Sequence, residues 1–193
     1  MALSYTPFGL KPVSNLKQCG VCGGNIRRYY VPSTDSAAIG IGDPVKLAGS
    51  ADASGVPTVT RMATPGTDVI LGVMVGVEPL ATDLSLNYRK ASTSMYIYVN
   101  TDPDTVYWIQ EINTGTALTA AEVGLNCNIA LGTVDTVTGN GKTVLTNTTE
   151  AVTSTLDVQI LGLAPIVGNE MGTNAVWEVR INKNQYKDAT TGI

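Results

Sequence analysis

From Tyr29 onward the chain is a succession of short apolar runs, each closed by Gly, Pro, Asn or Asp, and runs of that length and spacing predict strands. Tyr29-Tyr30-Val31 is the first. Gly42-Asp43-Pro44 then turns the chain into Val45-Lys46-Leu47, and Val56 to Met62 alternates again, with Pro57 predicting an edge position. Val69 to Val77 is almost continuously apolar, the pattern of a strand covered on both faces. Glu78 to Ser94 reads as a long excursion. Met95 to Val99 and Val106 to Ile112 flank Asn100-Thr101-Asp102-Pro103-Asp104 and predict a hairpin with a wide loop.

Thr119 and Glu122 have capping-box spacing, with Gly124 placed to end a single helical turn. Asn126 to Val137 and Lys142 to Thr146 bracket Gly139-Asn140-Gly141, a second hairpin signal. In Leu156 to Ile160 the alternation puts Leu156, Val158 and Ile160 on the core face and Asp157 and Gln159 toward water; Trp177 to Ile181 repeats that polarity. Some eight to ten strands without βαβ alternation predict an all-β fold: one antiparallel β-sandwich, jelly roll or barrel over residues 29–193. Residues 1–28 show no sustained period and are rich in Gly, Lys, Asn and Pro, so they are expected to form an extended N-terminal arm on a surface, outside any core.

Composition sharpens this picture. Apolar residues make up 44% and charged residues 15% of the 193, enough for one compact core and far from the disordered class. Charge is uneven. Lys11, Lys17, Arg27 and Arg28 lie in residues 1–34 without a carboxylate, so all 16 acidic residues fall in the remainder. Such cations are ordinary solubilising charge, or else they dock the arm onto an acidic protein surface. A nucleic-acid ligand does not suit an acidic body. No apolar stretch reaches membrane-spanning length, and the first residues lack the pattern of a signal peptide, so synthesis in the cytoplasm is expected.

The candidate chemistry is thin. With no histidine, the commonest general base and metal ligand are missing. Asp102 and Asp104 could serve as a carboxylate pair of the glycosidase kind. Aspartates flanking a proline more often cap loop amides, and nothing sets the two pKa values apart. Cys19-Gly20-Val21-Cys22 has the spacing of half a zinc site with the other half absent, and Cys127 stands alone; the three are expected to be thiols, with a disulfide or a metal as alternatives. Gly141-Lys142-Thr143 copies the end of a phosphate-binding loop, yet Thr136 stands where its first glycine belongs, which favours a turn between strands. Asn147-Thr148-Thr149 is a formal glycosylation sequon. No enzyme activity and no cofactor is expected.

Thr6-Pro7-Phe8-Gly9-Leu10-Lys11-Pro12-Val13, Gly42 to Leu47, Ile70 to Gly76, Asp102 to Tyr107 and Val123 to Asn126 resemble, in order and spacing, the landmarks of tailed-bacteriophage head decoration, or cement, proteins. The resemblance implies a jelly-roll or related β fold and a non-enzymatic virion component on the outer capsid surface. Its implied partners are the major capsid protein, whose subunits it bridges, and copies of itself as dimers or trimers. On this view Phe8, Leu10 and Val13 anchor the arm across capsid subunits, while Lys11, Lys17, Arg27 and Arg28 steer its approach. The alternative is another virion part or a carbohydrate-binding module for host attachment, with Tyr88, Tyr96, Tyr98 and Tyr107 as its aromatic surface.

Overall fold

The computed structural model describes residues 3–17 and 25–187. Apart from one 3₁₀ turn they form strands, turns and loops, in an all-β fold with two layers of different kind. Strands β2 (Ile26–Val31), β3 (Pro44–Ala51), β4 (Pro57–Arg61), β5 (Gly72–Val77) and β6 (Met95–Asn100) close into a barrel in the order β2-β4-β3-β5-β6. Strands β1 (Lys11–Asn15), β7 (Thr105–Gln110), β8 (Asn126–Cys127), β11 (Val158–Leu163) and β12 (Val176–Ile181) form a sheet in the order β1-β7-β12-β11-β8. The short β9 (Ile129–Ala130) and β10 (Val144–Leu145) pair with one another. Among the described residues the named strands pair antiparallel except at Tyr30 with Thr58, the parallel contact that shuts the barrel; isolated parallel bridges join Ile41 to Asn140, Ile70 to Asn184 and Glu111 to Leu145.

Each layer has its own core, because alternation along each strand sends every second side chain inward. Tyr29, Val31, Val45, Val59, Ile97 and Val99 fill the barrel. Tyr107, Ile109, Ile160, Trp177, Val179 and Ile181 form the larger core under the sheet. The run at Ile70 to Met74 belongs to both: Leu71 and Met74 face the barrel interior, Ile70 and Val73 the sheet. Coverage on two sides explains why this segment is apolar without interruption.

Several sequence expectations are corrected. The predicted hairpin does not form, because β6 pairs only with β2 and β5 and β7 only with β1 and β12. The Asp102-Pro103-Asp104 loop instead carries the chain from barrel to sheet. Pro57 is not on an edge: it is the first residue of a strand flanked on both sides, a position where its missing N–H costs no interior ladder bond. The hairpin read over Asn126 to Thr146 survives only as the two-residue pairs of β9 and β10. Asp157 is buried because its carboxylate accepts from the Gly66 and Ile129 amides, at 2.8 and 3.2 Å. The Thr119–Glu122 capping box is present around the 3₁₀ turn Ala120–Glu122.

The largest correction concerns the N-terminal segment. Leu10 is fully buried in the sheet core, Lys11–Asn15 pairs with β7 as the sheet's first strand, and Arg27 and Arg28 lie within barrel strand β2. The boundary expected at residue 28 therefore falls inside a strand. The Gly-rich, aperiodic sequence concealed a strand interrupted by a bulge at Pro12–Ser14, which breaks the period-2 signal.

Candidate docking groove

Residues 3–10 are tied across the sheet end by side chains that replace a regular ladder. The Thr6 amide donates to Gln110 Oε1 at 2.8 Å, Gln110 Nε2 donates to the Ser4 carbonyl at 2.9 Å, and Asn174 Nδ2 donates to the Leu3 carbonyl at 3.1 Å. The Leu10 amide donates to the Gly42 carbonyl at 2.9 Å. That crossing needs glycine on both strands. Gly9 and Gly42 have φ of +79° and +86°, and a Cβ on either would lie 2.7 Å from the other segment's backbone oxygen.

The fixed segment leaves Phe8 half-buried between two depressions that share Phe8 and Asn140. One, about 580 Å³, is walled by Phe8, Leu10, Pro12, Ile41, Trp108 and Ile166, with Lys11 at its rim. The other, about 500 Å³, runs from Tyr5 and Pro7 to Thr138, past the Asp135–Lys142 ion pair at 3.2 Å. Asn140 is set between them by its carbonyl, which accepts from the Asp135 amide at 2.8 Å. Trp108 is fixed by a 3.1 Å hydrogen bond from Nε1 to Glu178, its cross-strand neighbour. Lys11 Nζ stands 6.0 Å over the Trp108 ring and makes no ion pair among the described residues.

Of the seven residues expected to form a binding arm, Phe8, Leu10 and Lys11 meet at this groove, Leu10 as its floor. The other four lie elsewhere. Val13 sits half-buried at the β1 bulge. Lys17 pairs with Asp104 at 2.6 Å, which raises its own pKa. Arg27 lies 5.9 Å from the Tyr186 ring. Arg28 pairs with Glu78 at 2.6 Å and stacks 3.6 Å over Tyr96; the hydrogen bond to Glu78 raises its pKa. Lys17 and Arg28 are held by carboxylates, whereas Arg27 and Lys11 have ring contacts and no ion pair among the described residues, and of the two only Lys11 lines the groove.

The other candidates resolve into structural roles. Asp102 accepts from the Asp104 amide at 2.9 Å and from Asn15 Nδ2 at 2.7 Å, while Asp104 holds Lys17 and Lys187. The Gly141 amide donates to Ile41 and the Thr143 hydroxyl to Asp43, so both groups are taken up within the fold. Asn147 is buried, donating to Glu111 and to the Thr114 carbonyl. Cys127 is a buried thiol whose pKa burial pushes up; Cys19 and Cys22 lie outside the described residues. Tyr107 is fully buried, and Arg28 covers one face of Tyr96. Among the described residues no three Cys, Asp or Glu side chains gather as a metal site.

Sequence reasoning missed Ile41, Trp108, Asn140 and Ile166 as groove residues. They come from four separated segments, and no local motif links them. The chain significantly matches no protein-family model, no curated protein and no solved structure.

Proposed function

We propose that this protein is a non-enzymatic structural component of a virion. It binds the outer surface of an icosahedral phage head and stabilises it by bridging major capsid protein subunits, with neighbouring copies of itself as further contacts. The observation that carries this reading is the convergence of four of the five segments that resemble head decoration proteins; the fifth, Val123 to Asn126, lies beside β11 instead. Thr6 to Val13 crosses Gly42 through the Leu10 amide. The Gly42 amide donates to the Met74 carbonyl at 2.8 Å, and the Met74 amide to the Asp43 carbonyl at 3.0 Å. Pro12 and Ser14 pair with Tyr107 and Val106. Four segments distant in sequence thus build one junction between barrel and sheet, so their order and spacing act as a single pattern.

The junction is closely hydrogen-bonded. The buried Asp43 carboxylate accepts from the Gly40 amide and the Thr143 hydroxyl, at 2.9 and 2.8 Å, and pairs with Arg61 at 2.9 Å. A closely bonded body with a preformed groove meets the needs of an adhesive protein, since little conformational entropy is lost when it docks. Many weak contacts on one lattice then add through symmetry. The test is to mix the purified protein with undecorated heads and count copies bound per shell by cryo-electron microscopy. A fixed stoichiometry at symmetry-related positions is expected; absence of binding would overturn the proposal.

A further inference from the structure

The geometry points to the groove around Phe8 as the seat of an extended segment of a partner protein that presents an apolar side chain next to a carboxylate. This rests on the function proposed above, which makes the segment part of the shell protein. Three observations specify that occupant. The first depression has mainly apolar walls and the second a mixed lining of Tyr5, Pro7 and Phe8 with Thr138 and the Asp135–Lys142 pair; each falls within the roughly 300–1,000 Å³ of ligand pockets, and because they share Phe8 and Asn140 an extended chain fits the two better than a compact molecule. Apolar side chains also stand proud around the groove: Val167, next to Ile166, is 99% exposed, and Val137, next to Thr138, is 86% exposed. Covering them together with the trough would remove further apolar surface from water.

Charge complementarity supplies the third. Lys17, Arg28, Lys46, Arg61, Arg89, Lys142 and Lys187 are each paired with a carboxylate; Lys11, Arg27, Lys90, Arg180 and Lys183 have none among the described residues, and of these five only Lys11 lines the groove. A carboxylate arriving beside the bound apolar side chain would meet that ammonium at the edge of a desolvated site, where an ion pair is worth more than in open water. Backbone addition to β1 is a poor substitute, because Pro12 lacks an N–H and the bulge distorts the strand.

The experiment compares the unaltered protein with Lys11→Glu, Ile166→Asp and, as a distant exposed control, Val152→Asp, each checked for an unchanged circular dichroism spectrum and titrated onto undecorated heads. Lys11→Glu and Ile166→Asp are each expected to weaken binding by about tenfold or more, with Val152→Asp unchanged. In parallel, a carbodiimide added to decorated heads should join Lys11 Nζ to an aspartate or glutamate of the shell protein, locating the segment by mass spectrometry. Equal binding of all four proteins, or cross-links to the shell through other lysines only, would overturn the groove while leaving the decoration reading in place. Failure of the unaltered protein to bind would overturn both.

Discussion

At the scale of single residues, the ionisable groups that looked like candidate chemistry hold the fold together. Asp43 is fully buried and Arg61 only 16% exposed on its side chain, so removing one partner strands the other charge in a poor solvent. Asp43→Asn is expected to cost about 3–5 kcal/mol in urea denaturation, with the spectrum of the folded form retained. Burial pushes the Asp43 carboxyl above the usual carboxylate range, outweighing the attraction of Arg61. Asp104 is the opposite case. The hydrogen bond from the Lys17 ammonium, followed by that from Lys187, holds its carboxyl below the ordinary 3.8. The unfolded chain therefore takes up that proton first as the pH falls, so the stabilisation is complete above 3.8 and is lost as the pH drops through the lower folded value. Denaturation between about pH 5 and pH 2 should show a shallower acid loss for Asp104→Asn than for the unaltered protein.

At the scale of elements, β1 and the residue before it belong to the fold as well as to the proposed groove. Leu10→Ala should cost about 2–5 kcal/mol, measured by chemical denaturation, because it empties a fully buried site in the sheet core. Deleting the whole N-terminal segment would remove this residue and the pairing with β7, confounding stability with binding; point changes at the exposed Lys11 avoid that. The contrast with β12 shows what a sequence can reveal. Trp177, Val179 and Ile181 are legible as a core face because each strand residue reports its own side by alternation. Partner choice is not written in alternation, so β6 and β7 looked like a hairpin while belonging to different layers. Asp157 defeats the same rule, since the face it occupies is closed by the Gly66 turn and the start of β9, whose amides replace its water. The groove was legible only at Phe8, Leu10 and Lys11; Ile41, Trp108 and Ile166 join them through tertiary contacts that no local period announces.

At the scale of the whole molecule, barrel and sheet share the Ile70–Met74 run and the Asp43 junction, so neither core can open without exposing the other. Their unfolding should be one event. Trp108 and Trp177 both report on the sheet, while backbone amides of β2 and β6 report on the barrel. Tryptophan fluorescence and hydrogen exchange at those amides should therefore give coincident transitions in denaturant; a barrel that melts separately would contradict the shared run. The closed ring of five strands has a further consequence. It offers no first or last ladder for a neighbour's backbone to extend, and the Pro12 and bulge on β1 spoil the sheet's nearest rim. Copies that meet barrel to barrel can thus touch through side chains alone, so that half of the molecule gives no seam along which to grow into a fibre, and the sheet's far rim, β8, is only two residues long.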